Sequence, residues 1–213
     1  MQDYQTNFLT FARDTNVLKF GEFVLKSGRT SPYFFNSGLF NTGKSLAELG
    51  RYYAQAIIHS NLDFDMLYGP AYKGIPLVAA ISIALADHHD RDVPYAFNRK
   101  EAKAHGEGGT IVGSPLKGKI LIVDDVISAG TSVRESVEMI EAHEAIPAGV
   151  MIALDRQEKG VGDTSAIADI ESQYGMQVAS IVKFEHMVTF LKKTPSLAEH
   201  LASVEDYRRE FGV

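Results

Sequence analysis

The chain has 213 residues, 45% hydrophobic and 23% charged, a balance that suits one folded α/β domain and excludes a disordered or fibrous chain. It contains no cysteine, which excludes disulfides and thiolate metal sites, and its net charge of −6 argues against a nucleic-acid partner. No apolar run approaches the length that crosses a bilayer, and residues 1–7 lack the basic and apolar parts of a signal peptide, so no membrane partner and a cytoplasmic setting are expected.

The predicted elements begin with an amphipathic helix over residues 3–14, with Phe8, Leu9, Phe11 and Ala12 on its buried side. Residues 17–25 alternate around Gly21 and read as short strands. Residues 31–36 read as extended, because Pro32 fixes its own φ and biases Ser31 away from helix. Together about residues 1–40 form an expected cap, or hood, over a single domain spanning 1–213. A long helix follows over 43–60, with Leu46, Leu49, Tyr53, Ala56 and Ile57 at helical spacing. Strand and helix then alternate: strand 64–68, helix 74–87, strand 94–98, strand 119–124, helix 131–143, strand 148–155, helix 164–174 and strand 177–182. Two helices near 184–192 and 195–209 end the chain. The alternation predicts an α/β fold, a parallel sheet flanked by helices on both faces.

Residues 120–132 carry the strongest chemical signal: Ile-Leu-Ile-Val-Asp-Asp-Val-Ile-Ser-Ala-Gly-Thr-Ser. Four apolar residues suit a strand buried on both faces. Asp124 and Asp125 then fall at its carboxyl end, where open α/β sheets bind ligands. The short turn Val126, Ile127, Ser128, Ala129, Gly130, Thr131 and Ser132 leads into a helix whose N–H groups and dipole favour a phosphate. Carboxylates beside a phosphate cradle suit a sugar phosphate. Neither a Walker loop nor a G-x-G-x-x-G fingerprint is present here. Taken alone, Thr131 and Ser132 also read as a helix N-cap. A second constellation spans residues 98–109, where Arg99, Lys100, Lys103 and His105 fall within seven residues and three glycines follow within four. Such a cationic, glycine-rich segment reads as a mobile loop suited to closing over a polyanion.

The 120–132 segment resembles the phosphoribosyl-diphosphate (PRPP) motif of the type I phosphoribosyltransferases. Residues 98–106, the block Leu25-Lys26-Ser27-Gly28-Arg29-Thr30-Ser31-Pro32-Tyr33-Phe34-Phe35-Asn36, the block Tyr68-Gly69-Pro70-Ala71-Tyr72-Lys73-Gly74-Ile75-Pro76, Asp155-Arg156-Gln157-Glu158 and the C-terminal 207–213 resemble the orotate phosphoribosyltransferases, over essentially the whole chain. The resemblance is nearest to the dimeric bacterial enzymes. It implies the type I phosphoribosyltransferase fold and transfer of ribose 5-phosphate from PRPP to orotate in de novo pyrimidine synthesis.

By the same resemblance, Asp124 and Asp125 take the ribose hydroxyls, and Val126 to Ser132 wrap the 5′-phosphate. Tyr72, Lys73, Arg99, Lys100, Lys103 and His105 face the pyrophosphate, with Lys103 carrying the largest catalytic effect. Lys26 lies near PRPP and the base. Phe34 and Phe35 flank the orotate ring with Ser128 nearby, and Arg156 pairs with the orotate carboxylate. Phe34 and Phe35 seen alone read as core, and Lys26 and Lys73 as solvated surface. The resemblance further implies Mg²⁺ carried in with PRPP, no protein metal ligand, and a homodimer whose 99–109 loop is shared between subunits. Ser128 departs from the family's common Thr but keeps the hydroxyl. A purine phosphoribosyltransferase is disfavoured by Arg156 and the Phe34-Phe35 segment, and a PRPP-sensing regulator by the acidic charge and the retained loop.

Overall fold

The computed structural model describes residues 1–25, 28–103, 109–160 and 162–213, with Ala102, Lys103 and Gly109 as backbone only. Helix α1 (Asp3–Asp14) and the antiparallel pair β1 (Leu18–Val24) and β2 (Thr30–Phe35) come first, then α2 (Gly43–Ser60). The core follows as β3 (Met66–Gly69), α3 (Gly74–His89), β4 (Tyr95–Lys103), β5 (Gly109–Gly113), β6 (Lys119–Val123), α4 (Thr131–Ala142), β7 (Ile146–Asp155), α5 (Ala166–Tyr174) and β8 (Gln177–Lys183). Helices α6 (Phe184–Lys193) and α7 (Leu201–Phe211) end the chain, joined by a 3₁₀ turn over Pro195–His200. The expected α/β architecture is present: six strands in the order β5-β4-β3-β6-β7-β8, all neighbours parallel except β4 with β5.

The sheet divides two cores, and β6 shows why its sequence is continuously apolar. Leu121 and Val123 point to one face, with α2, α3, α1 and α6 over them, while Ile120 and Ile122 point to the other, under α4 and α5. All four are fully buried. Each such side chain contributes about 1.5–3 kcal/mol relative to exposure. Helix α3, which follows β3, lies on the first face, and α4, which follows β6, lies on the second. The crossovers therefore diverge between β3 and β6, and that divergence opens a crevice at the carboxyl ends of these two strands.

Three expectations need correction. Residues 99–103, read as loop, continue β4, and Gly109–Gly113, not anticipated as a strand, pairs antiparallel with it. The charged run at 99–103 has weak strand propensity of its own, and pairing with β5, whose Thr110, Ile111 and Val112 favour strand, supplies its backbone partners. The helix expected from residue 164 starts at Ala166, because the Ser165 hydroxyl caps it by accepting from the Ala168 N–H. Pro195 opens a 3₁₀ turn and delays the last α-helix to Leu201.

Helices α2 and α3 approach closely at Gly50, where an added Cβ would sit 2.6 Å from the Ala80 carbonyl oxygen. Gly50→Ala is expected to force the helices apart and cost about 1–3 kcal/mol. A thermal melt should show a fall of several degrees, roughly 2–4 °C per kcal/mol for a chain of this size.

Candidate active site

Asp124 and Asp125 sit where β6 ends, 9% and 6% exposed. The backbone continues to pair with β7 beyond the strand: the Asp124 N–H donates to the Met151 carbonyl at 3.1 Å and Ala153 N–H donates to the Asp125 carbonyl at 2.8 Å. The Tyr53 hydroxyl, from α2, donates to the Asp124 carbonyl at 2.7 Å. Asp124 Oδ1 accepts the Asp125 N–H, and Asp125 Oδ1 accepts the Val126 N–H, both at 2.8 Å. Asp125 Oδ2 accepts Lys73 Nζ and the Ser37 hydroxyl, each at 2.5 Å.

The two acids consequently ionise at different pH. Burial, and then the neighbouring Asp125 carboxylate, push Asp124 up to about 6. Burial also opposes ionisation of Asp125, but the Lys73 and Ser37 hydrogen bonds outweigh it and hold its carboxyl below the usual range. One carboxylate is fixed as an anion, and the other titrates a little below neutrality.

The turn after them is a ready anion site. Helix α4 begins at Thr131, and its N-cap is Gly130 at φ 75°, with no side chain capping the first-turn N–H groups. Thr131 and Ser132 are therefore not the cap, although they stand in the first turn. A non-glycine residue at 130 would be strained at that φ and would press on Ile170 and Arg134. Arg134 braces the turn from below, donating from Nη1 to the Ala129 carbonyl at 2.6 Å. A cavity of about 330 Å³ is bounded by Pro70, Ala71, Tyr72 and Lys73 on one side and by Asp124 through Val133 on the other. That volume falls in the range of small-molecule sites.

The opposite wall is the turn between β3 and α3. Gly69 and Gly74 stand back to back, and a Cβ on Gly69 would lie 2.1 Å from the Gly74 carbonyl oxygen, so only glycine closes this turn. The Ala71–Tyr72 peptide is cis. Asn98 Oδ1, at the end of the β3–β4 ladder, accepts the Ala71 N–H at 2.7 Å. Tyr72 is exposed, and Lys100 Nζ stands 5.3 Å from its ring centre.

The structure thus gathers Tyr72, Lys73, Asp124, Asp125, Val126, Ile127, Ser128, Ala129, Gly130, Thr131 and Ser132 around one cavity. Phe34, Phe35 and Arg156 do not line it. Phe34 is 38% exposed and stacks on Phe23 at 5.6 Å, whereas Phe35 is half-buried and packs against the core beside Phe8. Arg156 follows β7 and is ion-paired with Glu158 at 2.8 Å. Lys26 and His105, and the side chain of Lys103, lie outside the described residues. Sequence reasoning missed Ser37, Tyr53, Asn98 and Arg134. Of these only Asn98 stood inside a quoted motif.

Among the described residues, no three His, Asp or Glu side chains cluster as a metal cage, and no helix is long and apolar enough to cross a membrane.

Residues 37–181 match the phosphoribosyl transferase domain model. The chain is 61% identical to an orotate phosphoribosyltransferase of Enterobacter sp. (strain 638), and 60% identical to one of Klebsiella pneumoniae subsp. pneumoniae, in each case over 100% of both chains. The crystal structure of orotate phosphoribosyltransferase from Francisella tularensis superposes with a TM-score of 0.89 at 46% identity, covering 97% of this chain and 100% of that one. A shared fold, the paired acids over an open helix N-terminus and full-length identity near 60% agree: the chain belongs to the phosphoribosyltransferases, and among them to the orotate phosphoribosyltransferase family.

Proposed function

We propose that the cavity takes PRPP with its 5′-phosphate on the 126–132 turn, its ribose hydroxyls on Asp124 and Asp125, and its pyrophosphate toward Tyr72 and Lys73. The observation that carries this reading is a pair of buried acids and an uncapped helix N-terminus lining one wall of a single cavity, with the Tyr72–Lys73 turn on the other. In the reaction the bond from the ribose anomeric carbon to the pyrophosphate oxygen breaks, the electron pair leaving with the pyrophosphate, and a bond to an orotate nitrogen forms as that nitrogen releases its proton, giving orotidine 5′-phosphate and pyrophosphate. The chain's task is to orient the two partners and to stabilise the leaving charge, so it needs no nucleophile of its own.

Lys73 has a second duty here. By pairing with Asp125 it links the pyrophosphate turn to the ribose-binding acid, so the places assigned to the pyrophosphate and the ribose are held in register by one contact. Mg²⁺ would come in with PRPP, held by diphosphate oxygens and waters rather than by a dedicated protein cage. When bound, the ion neutralises diphosphate charge. Arg156 is assigned to the orotate carboxylate, and Phe34, exposed on β2, to the ring. Arg99, Lys100, Lys103 and His105 are assigned to the pyrophosphate, the 99–109 segment being shared with a second subunit of a cytoplasmic homodimer; the resemblance of residues 98–106 to the family's catalytic loop supports this.

The test is the fall in orotate absorbance on mixing protein, orotate, PRPP and Mg²⁺, with adenine, hypoxanthine and uracil in parallel. Loss with orotate alone, dependent on PRPP and Mg²⁺, is expected. Turnover of another base in its place would refute the substrate assignment.

A further inference from the structure

Arg156 is held by a carboxylate only two residues along the chain. Its Nε and Nη2 both donate to Glu158 Oε1, at 3.1 and 2.8 Å. The same oxygen accepts the Tyr33 hydroxyl at 2.8 Å, and the guanidinium carbon lies 4.7 Å from the Tyr33 ring centre. The pair is largely enclosed, with side chains 18% and 13% exposed. Tyr207 closes the surround: its hydroxyl is buried beside both charges without a hydrogen bond of good geometry. The Glu158 bonds occupy one edge of the guanidinium, and Nη1 makes neither of them.

The segment that carries Glu158 is itself tied down from two directions. Its backbone bridges Gly212, Lys159 N–H donates to the Phe211 carbonyl at 2.8 Å, and Val213 N–H donates to the Gln157 carbonyl at 3.1 Å. From the β1–β2 connection, Arg29 donates to the Lys159 and Gly160 carbonyls at 2.9 and 3.1 Å. Gln157 sits at φ 48°, a conformation these bonds maintain.

We propose that Glu158 is a positioning residue that fixes Arg156 for the carboxylate of the substrate base, with Tyr33, Arg29 and residues 211–213 holding Glu158 in place. The proposal rests on the reading in which Arg156 takes the orotate carboxylate. A long cationic side chain ordered beforehand loses less freedom when it binds. Glu158 also offsets the cost of keeping a guanidinium enclosed while no substrate is present. With one edge gripped and the ring face of Tyr33 beneath it, the remaining edge meets a planar carboxylate at a fixed angle. The same enclosure selects against a neutral base, which would leave the exposed edge of the cation desolvated and unpaired.

Steady-state kinetics with orotate and PRPP varied separately test this in Glu158→Ala, Glu158→Gln, Tyr33→Phe, Arg156→Ala and the double variant at 156 and 158. Glu158→Ala is expected to raise the KM for orotate about tenfold while leaving that for PRPP within about twofold. Glu158→Gln keeps an acceptor oxygen and should recover most of the loss. In the Arg156→Ala background, Glu158→Ala should add nothing, since the two act as a unit. An unchanged or lower orotate KM in Glu158→Ala, parallel rises in both KM values, or an additive double variant would each overturn the proposal. Should Glu158→Ala not fold, Tyr33→Phe decides: about a threefold rise for orotate alone supports it, and no change overturns it. If Arg156→Ala itself leaves the orotate KM unchanged, the carboxylate site is wrongly placed and the proposal falls with it. If only Glu158→Ala is silent, the site stands and the positioning role falls alone.

Discussion

Replacing Lys103 by alanine is expected to lower kcat by on the order of a hundredfold, while the KM for PRPP stays within about threefold. The reason lies in where β4 leads. It lies beside β3, whose carboxyl end becomes the turn carrying Tyr72 and Lys73, and Lys100 on β4 already stands over the Tyr72 ring. The β4–β5 ladder shifts register after Asn98 and resumes at Lys103 opposite Gly109, so the basic strand runs on from the pyrophosphate wall of the cavity. Negative charge grows on the pyrophosphate only as its bond to the ribose breaks. A cation that acts on this charge lowers the barrier and contributes little to ground-state affinity. Steady-state kinetics would count against the assignment if Lys103→Ala raised the KM for PRPP with kcat intact, because the lysine would then be binding substrate rather than its departing half.

The reach of the sequence follows from what each feature needs. A strand buried on both faces must be apolar without interruption, so Ile120 to Val123 announced the central strand, and the acids at its end announced the ligand edge. The helix starting at Thr131 was legible from its periodicity. Strand β5 was not: Thr110, Ile111 and Val112 are good strand formers, but a run of three between glycines is too short to mark a strand without its partner β4. Phe34 and Phe35 teach a different lesson. Neighbours on a strand point to opposite faces, so the two side chains part: Phe35 packs against the core while Phe34 stays exposed. Ser37 and Tyr53 escaped notice because they reach the acids across 88 and 71 residues of chain, and no local pattern marks such contacts. Glu158 was part of a quoted block, yet its role depends on Tyr33, 125 residues away.

Asp124 should show function and stability pulling in opposite directions. Its carboxyl titrates at about 6 in the fold against an ordinary value of 3.8, because burial and the Asp125 charge penalise its ionised form. Between those pH values the folded chain holds a proton that the unfolded chain has released. The protonated group's contribution to stability is therefore full below about pH 4 and is lost as pH rises through 6, an amount of order a few kcal/mol. Ribose hydroxyls donate to carboxylates, so PRPP binding needs the charged form and should weaken as pH falls below about 6, with KM rising toward tenfold per unit. Asp124→Asn separates the two effects. It keeps an oxygen for the Asp125 N–H but never carries the charge. At pH 7.5 the variant is expected to melt several degrees above the parent and to lose at least about a hundredfold in kcat/KM for PRPP; at pH 4.5 the gap in Tm should close. A variant that melts lower than the parent at pH 7.5, or a parent whose KM for PRPP is flat from pH 7.5 to 5, would show that Asp124 is not held at the expense of stability for the sugar it binds.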